Sequence, residues 1–399
     1  MASLTKFKMP VGRSLSALRA PITPRHFHFG YTPPPIFQLP AKPTINTSQH
    51  RPFSSAFSRM ADQSNMGGPN GHKVLEVPSV DLPSAHQDDA SRQKCLIFFI
   101  PGNPGLVTYY TPFLTTLRSL LDEAEARPGS TKSYHIYAQN LLGFSDTDHA
   151  EPFGPRPFAI PPFTLEDQIV HISARVTEKS TTPFSKVLLI GHSVGAYIAI
   201  ETLHRYHLSL PPSTPNLISP PTPTSTSAQH SAILLFPTIS HIALSPNGRH
   251  LSLIATTPFL DRNAHRLARF FLRLLPAVAL SLFLRIFLRM PKHAVGVTTA
   301  WLKSRDGVWQ ALHMGKDEMR VIGEEEWVEG LWEHAEDGSG DGEGKGDKFV
   351  FLFGKGDRWV AEETRDAFIK RREEHAEGRT RVVVDQAGIP HAFCLSKFQ

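Results

Sequence analysis

The chain has 399 residues, 40% of them hydrophobic and 20% charged, with a formal net charge of +5, which fits one or two globular domains with room for a large core. Much of the positive balance lies in the N-terminal segment, and no basic patch interleaved with aromatics on a recognisable module points to nucleic acid. Cys95 and Cys394 are the only cysteines and lack metal-ligand spacing, so the pattern argues against a structural disulfide or a cysteine metal centre and for a reducing compartment.

Residues 1–66 stand apart from the rest of the chain. They carry Lys6, Lys8, Arg13, Arg19, Arg25, Lys42, Arg51 and Arg59 with many Ser and Pro, and the first acid is Asp62. This composition resembles a mitochondrial transit peptide, with Arg51-Pro-Phe-Ser-Ser55 as a processing region. A disordered basic leader, or a true start at Met60, fits it equally. The segment has no apolar core of the kind a secretory signal needs.

From Val74 the pattern turns to short apolar runs alternating with helical segments. Cys95–Ile100 reads as a strand ending in Pro101-Gly-Asn-Pro-Gly105, followed by a helix over Thr108–Leu121 and a strand over Tyr134–Ala138. Thr164 and Asp167 give the next helix a start resembling a capping box. Lys186–Ile190 is a buried strand and Ala196–His204 a helix. Ala232–Phe236, Phe349–Phe353 and Arg381–Asp385 supply three more strands. Strands alternating with helices predict a mostly parallel sheet covered on both faces, an α/β fold. Two low-complexity stretches interrupt it, Ser209–His230 rich in Pro, Ser and Thr, and Glu336–Asp347 rich in Gly and acids. Both read as surface linkers; the second lacks the ordered acids of a calcium loop.

Between the strand Lys186–Ile190 and its helix sits Gly191-His192-Ser193-Val194-Gly195, a G-x-S-x-G sequence in the strand–turn–helix setting that makes it a nucleophile elbow. Gly191 and Gly195 leave room for a strained turn that pushes the Ser193 hydroxyl outward at the positive end of a helix. A serine hydroxyl is a weak nucleophile without a base, a carboxylate to orient that base, and donors for the oxyanion. Asp357 follows the strand Phe349–Phe353 and His391 follows Arg381–Asp385. At the carboxyl ends of neighbouring parallel strands they would converge on one crevice. Asp385 is the alternative carboxylate, although it ends a strand. For the oxyanion, the N–H of Val194 and that of Asn103, beside Gly102 in the early loop, are the expected donors. Ester hydrolysis by this set needs no cofactor and no metal.

With these stretches assembled the chain resembles the lipid droplet-associated hydrolases, a branch of the α/β-hydrolases. The resemblance rests on Ile100-Pro-Gly-Asn-Pro-Gly105 with Tyr109-Tyr110 and Phe113, on Gly191–Tyr197, on Phe236-Pro-Thr-Ile239 with Ser245-Pro-Asn-Gly248, and on Pro390-His-Ala-Phe393. It implies a serine hydrolase fold, residence on lipid droplets and endoplasmic reticulum, and activity on sterol or acyl esters. The long basic leader and the Pro/Ser/Thr insert before Phe236 depart from the pattern.

The residues between Phe236 and Phe349 exceed what one crossover needs and predict a cap, residues 237–347, inserted into a core formed by 67–236 and 348–399. Arg262, Arg266, Arg269 and Arg273 recur at helical spacing, as do Arg285 and Arg289 beyond Pro276 and the uncharged run Leu274–Leu284. Eleven residues of helix span about 16 Å, about half of a bilayer core. A kinked hairpin over about 262–292 lying in a lipid interface is expected, with Phe270, Phe271, Leu274, Leu282, Phe283 and Phe287 buried in lipid and arginines reaching phosphates. A cap helix packed on the core with its arginines in water is the alternative. The whole predicts a serine esterase acting on lipid esters at the cytosolic face of lipid droplets or endoplasmic reticulum. Two rivals are a lipid-surface scaffold with marginal turnover and a soluble mitochondrial hydrolase.

Overall fold

The computed structural model describes residues 77–154, 159–180, 184–209, 229–327, 330–333, 348–374 and 380–396. The leader 1–66 and most of the two low-complexity stretches lie outside the described residues. Within them the apolar runs form seven strands: β1 (Ser79–Leu82), β2 (Gln93–Ile100), β3 (Lys132–Gln139), β4 (Lys186–His192), β5 (Gln229–Leu235), β6 (Phe349–Gly354) and β7 (Thr380–Asp385). They make one sheet in the order β1-β3-β2-β4-β5-β6-β7. Only β1 is antiparallel, pairing with β3; the other neighbours run parallel. Helices α1 (Thr111–Glu125), α2 (Leu165–Ser180), α3 (Val194–Ser209) and, after β6, α10 (Glu362–Glu374) connect them. Leu96–Ile100, Leu189, Leu234 and Phe351 are almost wholly buried, because helices on both faces leave neither face of a central strand wet. This is the α/β-hydrolase fold.

Most strands extend the expected runs by a residue or two, and three local differences have physical causes. The first helix is α only from Thr111, with Pro112 in its first turn, after a 3-10 turn over Val107–Tyr110. Phe236, expected to end β5, sits at φ 48° outside it; there its N–H donates to Leu352 C=O at 2.7 Å and its ring packs against His192, His391 and Phe393. The edge strand β1 is a short polar–apolar segment that no apolar run announces. The start of α2 is a reciprocal box: Thr164 N–H donates to Asp167 Oδ2 at 2.8 Å and Asp167 N–H to Thr164 Oγ1 at 3.2 Å.

Between β5 and β6 the described chain runs through six helices: α4 (Pro246–Thr256), α5 (Pro258–Leu274), α6 (Ala277–Ile286), α7 (Lys292–Lys303), α8 (Gly307–Val321) and the single turn α9 (Gly330–Glu333). The break expected at Pro276 is present. Leu275, preceding it, is extended at φ −84°, ψ 123°, the conformation proline imposes on its neighbour. The two arms meet at 101° instead of folding back as a hairpin. Among the described residues no single helix is long and apolar enough to cross a membrane. α5 has no buried residue, whereas α6 turns Leu280 and Leu284 inward. Phe270, Phe271, Leu274, Leu282, Phe283 and Phe287 are all exposed, Phe287 to 73%. Lys303 donates to the carbonyls of Leu272 and Leu275, closing the end of α5.

Candidate active site

The sheet register places the site. Ile100 pairs with Gly191, Gly191 with Leu234, and Gly354 with Asp385, so the loops after β2, β4, β6 and β7 leave the same edge. Ser193 sits on the turn between β4 and α3 with φ 55°, a left-handed conformation that costs a non-glycine residue of order 1–3 kcal/mol. Its neighbours must be bare: a Cβ on Gly191 would lie 2.4 Å from Gly195 O, and one on Gly195 would lie 2.4 Å from Ile100 O. The turn is pinned by Ser193 N–H donating to Leu235 C=O at 3.0 Å.

The residues expected around Ser193 are there. His391 Nε2 is 3.0 Å from Ser193 Oγ, and His391 Nδ1 is 2.7 Å from Asp357 Oδ2. A carboxylate only accepts, so the ring proton belongs on Nδ1 and Nε2 is free to receive the serine proton. Asp357 is itself fixed, its Oδ1 accepting Trp359 N–H at 2.9 Å. Asp385, the alternative, instead accepts from Ala387 and Ile389 N–H and shapes the loop leading to His391. Ser245, Asn247 and Gly248 also acquire a reason. Ser245 Oγ accepts Gly248 N–H at the start of α4, and Asn247 exchanges hydrogen bonds with Arg358, giving N–H to its carbonyl at 2.9 Å and taking Nε–H at 3.3 Å. That braces the turn carrying Asp357.

Gly102 lies against the nucleophile, where a Cβ would be 2.9 Å from Ser193 Cβ. Among the described residues neither Asn103 N–H nor Val194 N–H has a protein acceptor, and Val194 is the first residue of α3, where the helix leaves its amides open. Two backbone donors are thus unspent in the turns that flank the Ser193 hydroxyl, an arrangement that could hold a tetrahedral oxyanion.

Three contacts were not foreseen from the sequence. The Asn103 side chain donates to Ala311 C=O at 3.1 Å and Glu318 Oε1 at 3.0 Å, both on α8. Burial pushes the Glu318 carboxyl up to about 8, so near neutral pH it accepts as an uncharged acid. His192, the variable residue of the elbow, bonds Tyr110 Oη at 2.7 Å and His391 O at 2.9 Å. Burial holds its imidazole down at about 3, with the nearby His391 a smaller cause. Away from the site, His149 lies between Asp148 and Asp306. Burial opposes its charge, but the bonds to the two carboxylates prevail and push it up to about 9. Partners from 82 to 215 positions away in the chain leave no spacing signal; the paired Tyr109-Tyr110 and the elbow histidine were the only hints.

The sequence profile of the lipid-droplet associated hydrolases matches residues 93–394. A lipid droplet-associated hydrolase of Homo sapiens is 31% identical over 186 residues, 46% of this chain and 49% of that protein. One of Pongo abelii is 27% identical over 335 residues, 82% of this chain and 88% of that protein. This chain thus spans about half the length of the human relative in that alignment. A solved hydrolase from Oleispira antarctica is similar at 11% identity, covering 80% of this chain and 89% of that one with a TM-score of 0.44. The profile runs from the first residue of β2 to the loop beyond His391 and takes in the elbow and both partner loops, and on that match the chain belongs to the lipid-droplet associated hydrolase family.

Proposed function

We propose that the protein is a serine esterase that cleaves lipid esters, of sterols or acylglycerols, at the surface of lipid droplets or the cytosolic face of the endoplasmic reticulum. The observation that carries the chemistry is the unbroken line Ser193 Oγ–His391–Asp357 at 3.0 and 2.7 Å with the unspent amides of Asn103 and Val194 beside it. Ser193 Oγ adds to the ester carbonyl carbon as His391 Nε2 takes its proton. The carbonyl oxygen becomes an oxyanion held by the two N–H groups, and Asp357 stabilises the imidazolium. Collapse breaks the acyl–oxygen bond, and the leaving alcohol takes the proton from His391. Water, deprotonated by His391, then releases the fatty acid and restores Ser193.

The lipid surface is supported by the right-angled pair α5–α6, whose exposed Phe and Leu side chains would otherwise stand in water. From Arg262 to Arg305 the sequence contains no acid. Arg262, Arg266, Arg273, Arg285 and Arg289 are exposed around the apolar residues, suited to phosphate headgroups.

The test is fluorophosphonate labelling of the purified full chain beside Ser193→Ala and His391→Ala. Labelling lost in both variants is the expected result, followed by turnover of emulsified cholesteryl or glyceryl esters. A folded parent that resists the probe would reject the esterase and leave a lipid-surface scaffold.

A further inference from the structure

The elbow histidine takes no part in the proton transfers of ester hydrolysis, yet it is held as tightly as the residues that do. His192 is buried at 4% exposure and Tyr110 at 2%, enclosed by the rings of Phe236 and Phe393. A chain of three hydrogen bonds runs through them: Gly102 N–H to Tyr110 Oη at 3.1 Å, Tyr110 Oη to His192 Nδ1 at 2.7 Å, and His192 Nε2 to His391 O at 2.9 Å. Its two ends fix every proton between them. A backbone N–H can only donate and a carbonyl can only accept. Nε2 therefore carries the ring hydrogen, Nδ1 accepts from the tyrosine hydroxyl, and the tyrosine oxygen accepts from Gly102. Each group is satisfied in one direction and the chain cannot be reversed. Burial keeps the imidazole neutral, as this arrangement requires.

The two ends are the two moving parts of the chemistry. Gly102 precedes Asn103, the proposed oxyanion donor, and His391 is the proposed base. Strand pairing positions neither residue, because both lie in loops beyond the last ladder bonds of β2 and β7. We propose that Tyr110 and His192 are positioning residues that lock the oxyanion loop and the histidine loop to a common reference behind the nucleophile. The proposal rests on the esterase reading. It assigns Tyr110 and His192 no contact with substrate. Their effect is on the aim of the Asn103 N–H and of the His391 ring, both of which matter most in the transition state. Displacing a reacting group by about 1 Å can cost about a hundredfold in rate.

The experiment compares Tyr110→Phe, His192→Leu, His192→Gln and the double variant Tyr110→Phe/His192→Leu in the full chain. It measures fluorophosphonate labelling rate, kcat and KM on p-nitrophenyl butyrate, and thermal unfolding, with all rates taken below every variant's transition. The expected result is a kcat about tenfold lower for Tyr110→Phe and about a hundredfold lower for His192→Leu, with KM within about twofold. The double variant should match His192→Leu instead of multiplying the losses, since both side chains serve one connection. His192→Gln, whose amide can still donate to the His391 carbonyl, should recover part of the rate. Parent-like kcat and labelling in Tyr110→Phe, multiplying effects, or a loss carried by KM would overturn the relay while leaving the esterase intact. Labelling of Ser193→Ala at the parent's rate would remove the esterase and the relay together.

Discussion

The elbow and the α5–α6 arms spend similar apolar and small residues in opposite ways. At the elbow the surroundings close in from all sides: Ser193 is strained, Gly191 and Gly195 tolerate no Cβ, and His192 and Asp357 have every described partner within reach. In α5–α6 the same chemistry is turned outward, with large rings exposed and no acid in the sequence from Arg262 to Arg305. On the proposed function, the over-determined region would hold the reaction geometry and the exposed one would meet a lipid surface. If that contrast is correct, the two regions should fail independently.

The largest effect should come from Ser193→Ala. It should abolish ester turnover, by at least about four orders of magnitude, while leaving flotation with phospholipid-coated oil droplets unchanged; loss of flotation would tie the two regions together. Next is the converse. Replacing Phe270, Phe271, Phe283 and Phe287 together by Ser should lower droplet partitioning by more than about a hundredfold, since each buried Phe contributes about 1.5–3 kcal/mol. Labelling of Ser193 in droplet-free solution should persist. A variant that still floats would show that the arms pack elsewhere. Gly195→Ala probes the closed side. Its methyl must displace the carbonyls of Ile100 and Pro101, so a loss of about 1–3 kcal/mol in stability, together with failed labelling, should appear in denaturant unfolding. An unchanged midpoint would mean the elbow is less constrained than its contacts require.

The smallest effect is a pH slope. The Glu318 carboxyl ordinarily titrates near 4.5 but is pushed up to about 8 by burial. As pH rises through that window the unfolded chain releases a proton the folded chain keeps, and stability is lost until about pH 8. His149 is held charged up to about 9, so its contribution is complete below its ordinary 6.5 and disappears as pH climbs through 9. Both slopes point the same way, and Tm should fall from pH 6.5 to 9. Glu318→Gln should flatten the part below pH 8 by roughly 2–4 °C, and an identical slope in parent and variant would count against a buried acid at that position.

The features legible in the sequence share one property: they are local. Branched and aromatic runs announce β2, β4 and β6 because a central parallel strand is apolar on both faces. Gly191-His-Ser-Val-Gly195 announces the elbow because sterics act within five residues, and Asp357 and His391 follow from their places after two strands. What escaped was either weakly patterned or settled by distant partners. β1 is four residues of mixed polarity at an edge. The right angle at Pro276 depends on how α6 packs on α7, which a proline alone does not dictate. Tyr110, His192 and Glu318 find their partners across 82, 199 and 215 positions, where no spacing rule operates. The polar interior of the site was therefore less visible than its nucleophile.

Helix α8 belongs to both regions. Toward α5 it presents Lys316, paired with Asp261 at 2.7 Å, and Trp309, stacked on His265 at 4.0 Å. Toward the hydrolase core it presents Ala311 and Glu318 to Asn103, with Gly315 facing the same amide. The insertion is consequently not a detachable module. A chimera that exchanged Asp261–Val321 for the corresponding helices of another protein would also discard the anchor of the early loop, and a truncation of the same segment would do the same. Point changes on α5–α6 leave these contacts in place, but an exchange of whole helices has to rebuild three positions of α8, Ala311, Gly315 and Glu318, to keep the Asn103 loop anchored.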